Sequence, residues 1–393
     1  MMRILHITPY FYPAWAYGGT CRAAWELARA LVRHGLQVAV FTTDALNAQQ
    51  RTGPAFEVVE GVEIHRVANL SNRLAWARVF LPLGFGSQLS AAVARADVVH
   101  LHEFRSYQNA VALPIIERQG KPFVVTPQGS LPRIMGRYAL KAVYDQLYGR
   151  RILRRAARLH ALDDMERRQY IALGVEPARI AIRPNGIDPA EFDSPPDAAA
   201  FRARHGIAGG TPIILFLARV NRIKGVDFLV QGFGLVHKQV PQALLLIVGP
   251  DDGYLGEVKR QVNALGIAEH VRFIGYLDGK EKLAAYRAAS VYVLPSTYDI
   301  FGITLLEALA CGTPVIATNG VGFADFMRQK NIGAVVNFGD TAALQAEIVR
   351  VLQQPVPELA ARSAAGRRYV LENFGWDTIA RDWLQVYAGC AVN

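Results

Sequence analysis

The sequence predicts an α/β protein made of two parallel-sheet domains. Three observations carry this expectation. The chain has 393 residues, more than one hydrophobic core usually serves. Short β-rich runs alternate with helical patterns from end to end, as strands joined by crossover helices do. The alternation breaks in "IRPNGIDPAEFDSPPD" at 182–197, where proline, glycine, asparagine and aspartate cluster as at a domain boundary. The expected division is residues 1–190, residues 191–375 and a tail helix over 376–393.

In the first half the expected strands are "RILHITP", "QVAVFTT", "DVVHLH", "PFVVTPQG" and "RLHALD". Between the first two, "TCRAAWELARALVRHG" reads as a helix with Thr20 as N-cap and Gly35 at its end. The hairpin-like "FEVVEGVEIHRV" interrupts the rhythm once. The second half repeats the architecture with "PIILFLA", "ALLLIVG", "VRFIGY", "VYVLP", "PVIAT" and "GAVVNF", each followed by a helical stretch.

Composition narrows the function classes. Hydrophobic residues make up 51% and charged residues 19%, ordinary for a folded, core-rich protein. Apolar runs such as "LLLIVG" fall far short of the roughly 18 residues a membrane span needs. The amino end reads as a first strand, which places the expected location in the cytoplasm. Cys21, Cys311 and Cys390 have neither disulfide nor metal-ligand spacing and are expected as reduced thiols. The +10 formal charge lies wholly in the first half: Lys and Arg number 24 up to residue 190 and 19 after it, against 14 and 19 acids. Between Ser130 and Arg158, eight basic residues (Arg133, Arg137, Lys141, Arg150, Arg151, Arg154, Arg155, Arg158) face the single acid Asp145. Together with Trp76, Phe80, Leu81, Leu83 and Phe85 upstream, they suit an anionic membrane surface, while the same apolar side chains also suit a core. No nucleic-acid module accompanies the basic residues.

Ligands of open α/β sheets gather at the carboxyl ends of strands, so polar residues just past strand ends are the candidates. Gly18 and Gly19 in "YGGT" follow the first strand and open a helix, letting backbone N–H groups approach a phosphate. His102 ends "DVVHLH", where an imidazole can donate to a sugar hydroxyl; His100, inside the strand, reads as structural. Arg219 and Lys224 in "LARVNRIKG" suit a diphosphate. In "YDIFGITLLEALACG" the N–H groups of Gly302, Ile303 and Thr304 offer a second anion site at a helix start. Asp299 precedes that helix and Glu307 lies within it; a carboxylate accepts two hydrogen bonds in a plane, which matches the adjacent hydroxyls of a ribose or hexose.

Taken together, these segments resemble the retaining nucleotide-sugar glycosyltransferases of family four. The resemblance rests on "STYDIFGITLLEALACGTPV" at 296–315, the Gly-Gly loop at 18 and 19, "HLHE", "TPQGSL" at 126–131, "PNGID" at 184–188 and the Arg219 and Lys224 pair, and it covers nearly the whole chain. It implies the GT-B fold, two facing Rossmann-like domains with a cleft between them. It also implies retaining transfer of a hexosyl unit from a UDP- or GDP-linked sugar to a glycan or polyprenyl-linked glycan acceptor in polysaccharide biosynthesis. By the same resemblance Glu307 binds the ribose hydroxyls, Arg219 and Lys224 hold the diphosphate, His102 lies beside the donor sugar, and Asp299 positions that sugar. Two positions depart from the family pattern: Asp299 stands where the signature has glutamate, and Gln128 where histidine is common.

No D-x-D triplet occurs in the chain, so neither a metal nor any other cofactor is expected. Two rival readings use the same residues: a sugar-nucleotide epimerase or hydrolase, and a non-catalytic nucleotide-sugar-binding subunit.

Overall fold

The computed structural model describes residues 1–134, 136–194 and 196–391. Pro195, within the expected boundary segment, and residues 392 and 393 of the expected tail lie outside the described residues. The chain divides into two units: residues 1–186 together with the segment from Trp376 onward, and Ile187–Gly375. The first boundary thus falls at Gly186 rather than at 190, and the tail helix belongs to the first unit.

The first unit is built on an eight-stranded sheet of β1 (Arg3–Ile7), β2 (Gln37–Thr43), β3 (Phe56–Val59), β4 (Val62–Val67), β5 (Val98–His102), β6 (Phe123–Thr126), β7 (Arg158–Ala161) and β8 (Ile180–Ile182). The spatial order is β3-β4-β2-β1-β5-β6-β7-β8. All neighbours pair in parallel except β3 with β4, the expected hairpin. Strand β8, three residues long, is the one strand of this sheet that sequence patterning does not reveal.

The second unit carries a six-stranded, wholly parallel sheet of β9 (Ile213–Leu217), β10 (Leu244–Val248), β11 (Val271–Gly275), β12 (Val291–Leu294), β13 (Val315–Thr318) and β14 (Ala334–Val336), in the order β11-β10-β9-β12-β13-β14. Every residue of β5, β9, β10 and β12 is buried, as strands covered on both faces must be.

The first sheet has one unusual feature: a row of polar side chains across its middle. His6 pairs in register with His100, and His102 with Thr126. Side chains two apart on a strand share a face, so His6, His100, His102, Thr126 and, on β7, His160 lie on one side. The helix Trp376–Ala391 returns from the end of the chain to cover them. Trp383 lies with its ring 4.8 Å from that of His100 and 4.6 Å from that of His160. Trp376, Ile379, Trp383, Val386 and Tyr387 join Ile4, Val98 and Val124 in one core cluster.

The row is hydrogen-bonded in one direction only. A carbonyl can only accept, so Arg183 C=O requires the proton of His160 on Nε2 (2.7 Å). His160 Nδ1 then accepts from Thr126 Oγ1 at 3.0 Å, Thr126 accepts from His100 Nε2 at 2.6 Å, and His100 Nδ1 accepts from Tyr387 Oη at 2.7 Å. One backbone carbonyl therefore fixes two tautomers and anchors the returning helix.

Burial pushes these imidazoles toward neutrality: His6 down to about 3, His160 to about 4, His100 and His102 well below the usual value. Because each folded-state value lies below the unfolded value of about 6.5, the unfolded chain binds the extra protons between the two. Their contribution is full above about pH 6.5 and is lost as the pH falls toward 4. Three buried acids act with the opposite sign: burial raises Asp163 to about 6, Glu166 to about 8 and Glu103 above its usual value. A difference between two proteins sharing those acids cancels them. In His160→Gln the slope of unfolding free energy between pH 6.5 and 5 is expected to be shallower than in the parent by up to one proton, about 1.4 kcal/mol per pH unit. Urea titrations across that range test this, and equal slopes would show that His160 is not held neutral.

Candidate functional site

The predicted site residues fall into two groups, one at the carboxyl strand ends of each unit. In the second unit the group centres on an ion pair. Lys224 sits in the single 3-10 turn Arg222–Lys224 after β9, and Asp299 follows β12. Gly225, at φ +64°, lets the turn come against the end of β12, where any side chain would collide with the carbonyl of Pro295. Thr297 N–H bonds Ile223 C=O at 2.8 Å and stitches the two together. The result is Lys224 Nζ at 2.5 Å from Asp299 Oδ2, both side chains about four-fifths buried.

Asp299 Oδ1 also accepts at 3.1 Å from the N–H of Gly302, the N-cap of the following helix Ile303–Ala310. This corrects one expectation: the Gly302 N–H is already taken and is not free for an anion. Gly302 adopts φ +74°, and a Cβ there would lie 2.8 Å from Val321 Cγ1, so backbone angle and space both demand glycine. Thr304 Oγ1 accepts from Tyr292 Oη at 2.7 Å.

Glu307, on the same helix, is 7% exposed and does not stand unpaired: Lys282 Nζ lies 2.6 Å from Oε1 and Tyr286 Oη 3.1 Å from Oε2. Both partners come from the helix Gly279–Ala288, four residues apart on one face. Each carboxylate oxygen keeps a lone pair for another donor. Arg219 is likewise engaged, with Asp252 Oδ2 at 2.6 Å, and Asn221 Nδ2 bonds the same oxygen at 2.9 Å. Every charged residue singled out in this unit rests on an opposite charge.

In the first unit, Gly18 rather than Thr20 is the N-cap of the helix Gly19–Arg33, and no side chain caps it. Thr20 instead meets Tyr10 Oη at 2.8 Å, and Tyr10 also donates to Glu103, directly after His102. The Gly18-Gly19 loop and the His102 strand end are thus brought together through Tyr10. Arg78 lies 5.3 Å from the Tyr10 ring centre and 5.1 Å from that of Tyr17, and donates to Tyr17 C=O at 2.9 Å. Burial raises the Glu103 carboxyl, while the Tyr10 hydrogen bond and Arg78 lower it. His102 Nε2 lies 3.0 Å from His6 Nδ1. Gln128 holds φ +48°, a left-handed conformation uncommon for its type, beside Gly129, whose N–H bonds Glu166 Oε1 at 2.6 Å.

Sequence reasoning missed Tyr10, Arg78, Glu103, Asp252, Lys282 and Tyr286. Tyr10, Glu103 and Asp252 each follow closely on a strand, the signal that identified His102. Lys282 and Tyr286 carried only an i, i+4 spacing. Arg78 carried no local signal.

The comparisons with known proteins agree with this architecture. Residues 18–186 match the family model described as glycosyl transferase 4-like domain, and residues 197–368 the one described as glycosyl transferases group 1. A D-inositol 3-phosphate glycosyltransferase of Catenulispora acidiphila is 32% identical over 92% of this chain and 88% of its own. A phosphatidyl-myo-inositol mannosyltransferase of Mycobacterium leprae is 32% identical over 76% of this chain and 74% of its own. Among solved structures, sucrose-phosphate synthase from Thermosynechococcus elongatus superposes with a TM-score of 0.79 at 24% identity, covering 99% of this chain and 98% of that one. Anabaena HepE in complex with UDP-glucose superposes with a TM-score of 0.78 at 18% identity, covering 99% of this chain and 100% of that one. Its two parallel-sheet units have the GT-B fold, and the chain belongs to the family-four-like glycosyltransferases, whose two domain models together account for both of its units.

Proposed function

We propose that the protein transfers a hexosyl unit, with retention of configuration, from a UDP- or GDP-linked sugar to a hydroxyl of a glycan or polyprenyl-linked glycan, in the cytoplasm and without a metal. The observation that carries this is the Lys224–Asp299 pair at the start of the helix that holds Glu307. In transfer the anomeric C–O bond breaks and charge collects on the leaving diphosphate; fixed cations and a helix amino end aimed at that charge lower the barrier by several kcal/mol, on the order of what such groups contribute elsewhere.

The acids paired with these cations keep them placed before a donor binds. On donor binding the diphosphate draws Arg219 from Asp252 and Lys224 from Asp299. Asp299 then turns its freed oxygen to a hydroxyl of the donor sugar, and Glu307 accepts from the ribose. The named relatives support a nucleotide-sugar donor: HepE was solved with UDP-glucose, and the Mycobacterium leprae protein is a mannosyltransferase. The missing D-x-D triplet supports metal independence.

The test is a transfer assay with a panel of UDP- and GDP-sugars and glycan acceptors, run in EDTA. Product on the acceptor is expected at an unchanged rate in the chelator, and Glu307→Gln is expected to lose at least a hundredfold, because it replaces one of the two accepting oxygens with an NH2 donor while Lys282 and Tyr286 still compete for the other. Thermal melts of the same variant separate that loss from the strain of leaving Lys282 unpaired. Sugar released or epimerised without acceptor would give the reaction to an epimerase or hydrolase, and binding without turnover would make the chain a non-catalytic subunit.

The acceptor proposal includes a membrane. No helix among the described residues is long and apolar enough to cross one. Phe80 and Phe85 are core, but Trp76, Leu83, Tyr138, Leu140, Val143 and Leu147 are exposed, the last four along the helical stretch that begins at Tyr138. Arg137 donates to Ala77 C=O at 3.0 Å and ties the two segments together. The basic run is less free than its sequence implies: Arg133 shares Asp145 with Arg105, and Glu117 holds Arg151 and Arg155. Arg137, Lys141, Arg150, Arg154 and Arg158 remain for an anionic surface, at about 1 kcal/mol each. The full chain, rather than residues 1–190, is the protein to test, because Trp383 completes the first unit's core. It is expected to bind vesicles with anionic lipid, to release them in high salt, and to bind several-fold more weakly as Leu140→Ser/Leu147→Ser. Equal binding to neutral vesicles would remove the basic residues from the proposal, and no binding to either would remove the membrane.

A further inference from the structure

Two nitrogens in the buried histidine row have no hydrogen-bond partner: His6 Nε2 and His102 Nδ1. They belong to the two rings that meet each other, His102 Nε2 to His6 Nδ1 at 3.0 Å. A metal centre is the first alternative, since His6, His100 and His102 offer nitrogens within 4.8 Å of one another. Both nitrogens of His100 are spent, however, on Tyr387 and Thr126, which leaves two free nitrogens where a protein-held zinc takes at least three ligands. The pair is better understood as a hydrogen-bonded couple.

Two neutral imidazoles carry two N–H groups and two lone pairs. One of each is consumed between the rings, so one N–H and one lone pair remain, and they must sit on different rings. The tautomer of His6 therefore dictates that of His102. If His102 donates, its Nδ1 is bare; if His6 donates, His102 Nδ1 carries a proton. Neither ring is free to turn aside: His100, held at both nitrogens, stands 4.2 Å from the His102 ring at 25° and 4.9 Å from the His6 ring at 61°.

The two arrangements differ in where the unsatisfied N–H is left. His6 is 0% exposed and His102, the last residue of β5, is 3% exposed. A buried donor without an acceptor costs about 1–3 kcal/mol, and a ligand arriving at the strand end can remove that cost only at His102. We propose that His6 is a positioning residue for glycosyl transfer: its Nδ1–H donates to His102 Nε2, which holds His102 as the Nδ1–H tautomer and presents that N–H to a hydroxyl of the donor sugar. The inference rests on the reading that places the donor sugar beside His102. Burial keeps both rings neutral, as this exchange of one proton requires.

The experiment combines kinetics with histidine 15N NMR on the full chain, parent and two variants. In the parent, His102 is expected to be protonated at Nδ1. His6→Phe keeps a ring of similar shape and removes the donor; His102 is expected to lose its single tautomer and kcat/KM to fall at least tenfold. His6→Asn places an amide N–H near the position of Nδ1 and is expected to restore the tautomer and most of the activity. A residue that only fills space would show neither the change in protonated nitrogen nor the difference between the two variants. Parent protein with His102 protonated at Nε2 overturns the proposal even if His6→Phe fails to fold, as does equal loss in the two folded variants. His102→Ala separates the two levels: full activity there removes His102 from the transfer reading, whereas its inactivity beside a silent His6→Phe removes only the role of His6.

Discussion

The arrangement of the second unit depends on the ion pair between Lys224 and Asp299. A carboxylate taken out of water costs several kcal/mol unless a cation and hydrogen bonds accompany it, so an acid beside an apolar helix dictates what surrounds it. Gly225 and Gly302 follow from this requirement. The first permits the turn carrying Lys224 to close on β12, and the second, as N-cap of the following helix, gives its N–H to Asp299. The pairs Glu307–Lys282 and Arg219–Asp252 repeat the device around the same strand ends. A site stocked with both charges is stable when empty, and it can meet an anionic ligand by exchanging partners rather than by ordering mobile side chains.

In the first unit the central polar row is held without counter-charges. That row consists of four imidazoles, a threonine and a tyrosine; a chain of bonds that ends on a backbone carbonyl satisfies Tyr387, His100, Thr126 and His160, while His6 and His102 bond each other. Such a chain is oriented: each tautomer follows from the previous one, so geometry at the returning helix and geometry at His102 belong to one packed row. The division of labour suits the proposed chemistry. Charge is stored in the unit proposed to hold the diphosphate, and neutral donors and acceptors in the unit proposed to meet sugar hydroxyls.

Much of the fold was legible because strands buried on both faces announce themselves locally. "LLLIVG" and "VYVLP" need no partner to be recognised, whereas the three residues of β8 are too short to show a period. Asp299, Lys224 and His102 were legible as polar residues just past parallel strands, where ligands gather, and Glu307 as an acid inside an apolar helix. Their partners were not. That Asp252 would meet Arg219, that Lys282 would meet Glu307, or that Glu117 would neutralise Arg151 depends on contacts 33, 25 and 34 residues apart in sequence, and no local pattern encodes them. The cap of the first helix failed for a related reason: Thr20 has the right side chain, but Tyr10 claims it, and Gly18 takes the cap position.

The exchange of partners at Lys224 is the central claim, and a double-mutant cycle on the affinity for a free nucleoside diphosphate tests it most directly. Titration calorimetry would compare the parent, Lys224→Met, Asp299→Asn and the double variant. If the diphosphate takes Lys224 from Asp299, Asp299→Asn binds about fivefold or more tightly than the parent, Lys224→Met binds more weakly, and the effect of Asp299→Asn vanishes once Lys224 is gone, a coupling of about 1 kcal/mol or more. An Asp299→Asn effect of the same size in both backgrounds would contradict the account, because the two residues would then act on the ligand independently.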